Sequence, residues 1–433
     1  MESYRVARKV NNMTLQEKDA QLIWHPFTQE KTAELNIPIE SARGVWLRGE
    51  DGREILDGIS SWWTNVHGHG NEYMANAIYE QALKMEHLIF AGFTHPKAIE
   101  LSERIIEKVG EEYSKVFFSD NGSTSNEVAL KMAIQYHYNN GNPKNKIIAF
   151  QDSYHGDTFG VMSTGGRGPF SAPFDPNLFE VYHLDVPNKD NEEIILKQFK
   201  SFVEKGDVAA FAFEPLVMGT AGMIMYSESL LEELFAIASE NSVITICDEV
   251  FTGFYRTGKM FSFQHTNIKP DILCLSKGLT GGMMALGLTV CKSFIYDAFY
   301  SNDKMKAFFH GHSYTGNPIA CSAACASLDL FDSKSTQDNI NNLLEMQFNF
   351  CEELKEIKRF TNVRLKGTIL AFDVVSKEST SYFNSIRDLL YNYFLEKNIL
   401  LRPLGNTLYI LPPYSINKLE YNLIKDAILS LDI

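Results

Sequence analysis

An apolar run, Ile272-Leu273-Cys274-Leu275, ends in Ser276-Lys277 and passes at once into glycine-rich chain. Lysine is rarely buried unless something pairs with it, so one at the end of a core strand needs a reason. The preceding apolar run, "SVITICDEV", ends in Asp248-Glu249. Glu214 interrupts "AAFAFEPLV", and Tyr154-His155-Gly156 follows "KIIAF". In open parallel sheets ligands gather at the carboxyl ends of the strands, so these groups are candidates for one shared rim. Asp248 and Lys277 together admit two readings. One is a structural ion pair. The other is a site for pyridoxal 5'-phosphate, which needs a lysine amine to carry it and an acid on its ring nitrogen to keep the ring an electron sink.

That cofactor also needs a phosphate cradle. "SDNGSTSNEVALK" is dense in small polar residues from Ser119 to Ser125 and leads directly into a helical pattern. Backbone N–H groups at a helix start, helped by Ser and Thr hydroxyls and the helix dipole, bind phosphate. The same residues also suit a plain N-cap through Ser123, Thr124 or Ser125. A nucleotide P-loop, G-x-x-x-x-G-K-[ST], occurs nowhere in the chain. "HGHG" at 67–70 lacks a third ligand at metal spacing and reads as turn histidines. On extended chain the adjacent Trp62 and Trp63 would point opposite ways, placing at least one at a cavity or an interface. Arg402, after "ILL" and before proline, is either a surface charge or a carboxylate clamp.

The elements that must position these groups are legible as patterns. "KIIAF" (146–150), "VAAFAFEPLV" (208–217), "SVITICDEV" (242–250) and "DILCLSKG" (271–278) are near-continuous apolar runs, as in strands covered on both faces. Between them, Val128, Met132 and Tyr136 recur at helical spacing, and "SESLLEELFAIASEN" (227–241) behaves alike. Alternation of this kind predicts an α/β fold, a mostly parallel sheet flanked by helices, over 70–330. Ahead of it, "GVWLRGEDGREILDG" predicts two short strands about a Glu-Asp-Gly turn within an N-terminal segment, 1–69. Over 331–433 the texture predicts a smaller α+β domain: a helix at 337–357, a strand at "VRLKGTILAFDVV", a second helix, a hairpin-like "ILLRPLGNTLYILPPY" and a last helix.

Bulk properties narrow the function classes. At 433 residues, with 45% hydrophobic and 22% charged residues, the chain is ordinary for a globular protein of two domains. A formal net charge of −14 argues against a nucleic-acid partner, which requires a basic surface. The six cysteines, mostly in apolar runs without a C-x-x-C pair, fit buried free thiols in a reducing compartment. Arg5, Arg8 and Lys9 are followed by no apolar signal segment, and no run is long enough to span a bilayer. A cytoplasmic location, with no membrane partner, is the expectation.

With these residues assembled, the chain resembles the fold-type I, class III pyridoxal-phosphate aminotransferases along nearly its whole length. "DEVFTGFYRTGKMF", "PDILCLSKGLTGG" and "HGHSYTGNPIACSAA" carry the likeness to the class. "WHPFTQ", "SSWWTNVHGHG" and "RPLGNTLYILPPY" resemble the biotin-pathway subgroup that aminates 8-amino-7-oxononanoate. The resemblance implies that Lys277 carries the cofactor, Asp248 meets its ring nitrogen, Gly122 and Ser123 bind its phosphate, and Tyr154 lies against its ring. It implies a homodimer with shared sites, in which His312 and Ser313 complete the neighbour's phosphate site. Phe27, Trp62, Trp63 and Gly311 would line the substrate channel at an entrance formed partly by the N-terminal segment, and Arg402 would hold the keto acid's carboxylate. Catalysis would fall to Lys277, Asp248 and Tyr154. Two positions depart from the pattern. Ser313 replaces a threonine and keeps the hydroxyl. Phe27 replaces the tyrosine of adenosylmethionine-using enzymes, which leaves the donor open between S-adenosylmethionine and lysine. The alternative within the class is an ω-amino-acid or diamine aminotransferase.

Overall fold

The structure, a computed structural model, describes residues 13–432 except 268, 379 and 381–383. Arg5, Arg8 and Lys9 lie outside the described residues. Strands β1 (Ile39–Arg43), β2 (Trp46–Gly49) and β3 (Glu54–Asp57) form an antiparallel ribbon, and Gly52 turns β2 into β3 with φ +83°. There follow β4 (Tyr113–Ser119), β5 (Lys146–Phe150), β6 (Tyr182–Leu184), β7 (Val208–Phe213), a short pair β8 (Val217–Met218) and β9 (Ile224–Met225), then β10 (Ile244–Asp248), β11 (Ile272–Leu275) and β12 (Gly287–Lys292). Seven of them make the central sheet in the order β4-β12-β11-β10-β7-β5-β6. All run parallel except β12, which pairs antiparallel with both β11 and β4.

β7, β10 and β11 are buried at every residue, which is why they read as unbroken apolar runs rather than alternating ones. Their side chains still alternate between two cores. Phe211, Phe213, Leu273 and Leu275 enter one. Ala210, Ala212, Ile246 and Cys274 enter the other, which they share with Val128, Ala129 and Met132 of the helix Gly122–Asn139. Small residues on that face of β7 let the helix lie close to the sheet. Among the described residues no helix is long and apolar enough to cross a membrane.

Beyond the central sheet lie β13 (Phe360–Lys366), β14 (Ile369–Val374), β15 (Ile399–Leu400) and β16 (Thr407–Ile410). Several expectations are corrected in detail. The run at 208–217 breaks after Phe213: Pro215 has no N–H to donate, and Leu216 turns the chain at φ +64°. "VRLKGTILAFDVV" is not one strand but the β13–β14 hairpin, folded at Gly367. "ILLRPLGNTLYILPPY" turns back on itself only at the antiparallel bridge of Leu404 with Thr407, and its two strands do not pair with each other: β15 joins β3 in parallel while β16 joins β14 in a different sheet. The helix expected at 337–357 spans Lys334–Lys355 and is capped by Ser333.

The β13–β14 turn packs on the chain that follows β10. A Cβ on Gly367, at φ +60°, would lie 2.1 Å from the carbonyl carbon of Thr257 and 2.3 Å from the amide of Gly258. Gly367→Ala is therefore expected to cost about 2–4 kcal/mol, from overpacking and a left-handed backbone together, seen as a lower urea midpoint. An unchanged midpoint would mean that the hairpin is not held against that segment.

Candidate active site

Because β4, β5, β7, β10 and β11 run the same way, their carboxyl ends share one rim. β12 begins there from the opposite direction, with Gly287 beside Ser119 and Leu288 beside Leu275. A cavity of about 420 Å³ opens at this rim, walled by Gly122 and Ser123 after β4, Tyr154 and His155 after β5, Glu214 after β7, Asp248 of β10, Lys277 after β11, and Trp63. Polar groups scattered in sequence thus meet because β4, β5, β7, β10 and β11 all end on one side of the sheet.

Asp248, the last residue of β10, is buried. Its Oδ2 accepts hydrogen bonds from Asn126 Nδ2 at 3.0 Å and His155 Nδ1 at 2.8 Å, and its Oδ1 accepts one from the Val250 amide at 3.0 Å. Lys277 leaves β11 with φ +46°, half-buried, its Nζ 4.7 Å from the centre of the Trp63 ring and 5.7 Å from that of Phe251. Burial pulls its ammonium down to about 8, against the opposing pull of Asp248 and Glu214 and with added push from buried Arg256. Burial likewise lifts the carboxyl of Glu214 to about 7, although the positive charge of His155 and the amides of Tyr154 and Gly219 oppose that rise. Burial disfavours a charged His155, but the hydrogen bond and charge of Asp248 outweigh it and raise the imidazole above its usual value.

The cradle differs from expectation in its cap. Asn121 is the N-cap residue, accepting from the Thr124 amide at 2.9 Å, and of the three expected hydroxyls Thr124 Oγ1 completes a capping box by accepting from the Asn121 amide at 3.2 Å. That leaves the amides of Gly122 and Ser123 without a hydrogen-bond partner among the described residues, at the positive end of an 18-residue helix. The opposite lip is Gly156, with φ +128° and no side chain; a Cβ there would lie 2.0 Å from Ser123 Oγ. One on Gly122 would lie 2.7 Å from Val250 Cγ1. Ser123 Oγ also accepts from the Asp157 amide at 3.3 Å, which laces the two lips together.

The tryptophan pair is not on extended chain. Ser60, Ser61, Trp62 and Trp63 all have positive φ, from +43° to +73°, forming one left-handed turn. Trp63 is buried and enters the cavity wall, while Trp62 is half-exposed and stacks elsewhere. The Arg402 guanidinium sits 4.5 Å from the Trp62 ring centre, and Phe27 meets the same ring edge-on at 5.6 Å. The tyrosine Tyr154 is partly exposed; its hydroxyl donates to Asp157 at 3.0 Å, and burial raises its pKa. Gly311, His312 and Ser313 do not line this cavity; Gly311 and Ser313 are exposed. The turn histidines are spoken for: His69 Nε2 meets Asp57 at 2.8 Å, and His67 Nε2 meets Ser327 at 2.9 Å. Asn126 was missed from sequence, since a polar residue in the first turn of a periodic helix gives no sign of reaching a strand end.

Comparison with known proteins agrees with this geometry. The family model for class III aminotransferases matches residues 27–430. The chain is 43% identical to the adenosylmethionine-8-amino-7-oxononanoate aminotransferase of Synechococcus elongatus, over 94% of this chain and 98% of that one. The crystal structure of the enzyme of that name from Methanocaldococcus jannaschii superposes with a TM-score of 0.91 at 36% identity, covering 97% of this chain and 99% of that one. An omega transaminase of Pseudomonas jessenii has the same fold, with a TM-score of 0.91 at 23% identity. The chain belongs to the class III aminotransferases, enzymes that depend on pyridoxal phosphate.

The residues present fit that cofactor: an anion cradle with two free amides, a buried carboxylate, and an amine of lowered pKa share one cavity. Gly156→Ala, which fills the cradle, should weaken pyridoxal phosphate binding at least about tenfold, measured by equilibrium dialysis of the apoprotein. Undiminished affinity would place the phosphate elsewhere.

Proposed function

We propose that the protein transfers an amino group to 8-amino-7-oxononanoate, giving 7,8-diaminononanoate in biotin biosynthesis. The observation that carries this reading is full-length likeness to enzymes of that name, joined to a cavity whose lysine, acid and anion cradle are all intact. The stretch 70–330 would be the cofactor-binding domain, with 1–69 and 331–433 forming the smaller one. The enzyme would act as a homodimer, in which Gly311, His312 and Ser313, which do not line their own cavity, would complete a neighbour's.

Bound in the cavity, pyridoxal phosphate supplies an aldehyde that joins an amine and a ring that draws electrons from the adjoining carbon. In this reading Lys277 would carry the cofactor until the donor's amine takes its place, and the released Nζ, free in part near neutral pH, would then take the proton from the donor's amine-bearing carbon. Asp248 holds the proton of the ring nitrogen. Gly122 and Ser123 bind the phosphate through their amides. Tyr154 and Trp63 cover the ring's surroundings and exclude water. Arg402, whose guanidinium has no carboxylate partner among the described residues, takes the terminal carboxylate of the keto acid, beside the aromatic wall of Trp62 and Phe27. Donor and acceptor use one site in turn, so ping-pong kinetics follow.

Two measurements bear on this reading. Because the Lys277 amine is protonated below about 8 and neutral above it, the rate at which apoprotein links pyridoxal phosphate should rise with pH and level off past about 8. A rate still climbing steeply at pH 10 would mean that the lysine has its ordinary basicity. The donor is decided by adding S-adenosylmethionine or lysine separately to the holoenzyme and following the absorbance of the lysine-linked cofactor. Loss of that band with S-adenosylmethionine alone makes it the donor despite Phe27; loss with lysine alone makes lysine the donor.

A further inference from the structure

One face of the cradle helix Gly122–Asn139 carries polar side chains four residues apart: Glu127, Lys131, Gln135 and Asn139. The first of them serves the helix's own cavity. Glu127 Oε1 accepts from the Gly160 amide at 2.7 Å and the Val161 amide at 3.2 Å, just beyond the Gly156 lip. The other three reach a different segment, 306–310. Lys131 Nζ meets His310 Nδ1 at 2.9 Å. Gln135 Nε2 donates to the Ala307 carbonyl at 3.0 Å, and Asn139 Nδ2 to the Lys306 carbonyl at 3.2 Å. Lys306 Nζ returns a bond to the Asn139 carbonyl at 2.8 Å. An ammonium only donates, so His310 accepts through Nδ1 and its own proton lies on Nε2. Burial, then the charge of Lys131, hold the imidazole below its usual pKa against the pull of Glu127, which favours this neutral, accepting form.

Beyond His310 the chain passes at once into Gly311, His312 and Ser313. The His312 amide is spent on Thr315 Oγ1 at 3.1 Å, and the Tyr314 amide on His312 Nδ1 at 3.2 Å. The amides of the exposed Gly311 and Ser313, and the Ser313 hydroxyl, donate to nothing among the described residues. Free N–H and O–H donors on an exposed turn suit an anion, yet this turn does not line its own chain's cavity. We propose that Lys131 is a positioning residue for the neighbouring subunit's cofactor: by donating to His310 it fixes the turn whose free donors close on the neighbour's phosphate. One helix then serves two sites, its own through the N-terminal amides and the neighbour's through Lys131, Gln135 and Asn139. The inference rests on the homodimer reading given above.

The test separates an effect across the interface from one within a subunit. Differently tagged subunits are co-expressed and the heterodimer is isolated, one subunit always carrying Lys277→Ala. Only the other subunit can link the cofactor. Pyridoxal phosphate titrated against the apoprotein, followed by the absorbance of the lysine-linked form, therefore reads one site alone. With Lys131→Met on the Lys277→Ala subunit, the intact site meets the altered turn, and its affinity should fall about tenfold against the heterodimer bearing Lys277→Ala alone. With Lys131→Met on the subunit that keeps Lys277, an unaltered neighbour closes the site, and affinity should stay within about twofold. A general loss of stability would weaken both arrangements alike. Equal weakening in the two, or none when the change lies across the interface, overturns the inference. Should the Met variant fail to assemble, His310→Phe removes the acceptor instead, with the same pair of outcomes expected. Ser313→Asp, measured in both arrangements, distinguishes the two levels, since its charge should repel the phosphate only from across the interface. If it weakens neither site, or only its own subunit's, the turn closes no neighbour's cradle and both readings fall. If it acts across the interface while Lys131→Met does not, only the role of Lys131 falls.

Discussion

A carboxylate and an amine held at the end of fully buried strands are the constraint on which the rest of this structure depends. Taking an unpaired carboxylate out of water costs several kcal/mol unless donors replace the lost hydration. Asp248 is supplied with three, from β10's own continuation, from the helix after β4 and from the loop after β5. Those three segments are brought together only because β4, β5 and β10 run parallel within one sheet. The topology is thus not a scaffold indifferent to chemistry. A single reversed strand, β12, is tolerated because its first residues, not its last, lie at the rim.

Lys277 shows the complementary constraint. Among the described residues it has no hydrogen-bonded anion beside it; its Nζ lies against aromatic faces, which attract a cation but do not replace hydration. The balance of burial against Asp248 and Glu214 leaves the amine near its titration point at about 8. An amine in a direct ion pair would stay charged and be useless as a base. Among the described residues Lys277 and Asp248 form no direct ion pair, a separation that the sequence does not carry.

What was legible follows physical lines. The strands of the central sheet stood out because complete burial imposes continuous apolarity, and the rim groups stood out because Asp248, Glu214 and Lys277 interrupt it. The cap at Asn121 was misassigned among neighbouring small polar residues because every one of them can cap a helix. The C-terminal strands were mispaired for another reason. β15 and β16 are close in sequence but find partners in β3, near the other end of the chain, and in β14, across an intervening helix, and such partner choice leaves no local trace. Asn126 and His155 were invisible in their roles because each reaches Asp248 through tertiary contact alone.

The left-handed turn at Ser60–Trp63 is the least predictable element, and the most informative. Each non-glycine residue held there costs about 1–2 kcal/mol, and branched or aromatic side chains make it no easier. Four in succession persist only where surroundings over-determine them. Here Ser60 Oγ donates to the Leu411 carbonyl, Ser61 Oγ to Asp57, and the buried Arg256 to the Trp63 carbonyl, while His69 secures Asp57 in turn. The two ends of the chain and the segment after β10 all contribute. What this strain achieves is divergence within two residues: Trp63 is delivered onto Lys277 and Trp62 onto Arg402. An extended chain would also send adjacent side chains apart, but across a flat sheet face. The compact turn instead places one indole beside the Lys277 amine and the other beside the Arg402 guanidinium, so a single strained element links the cavity to a cationic side chain outside it.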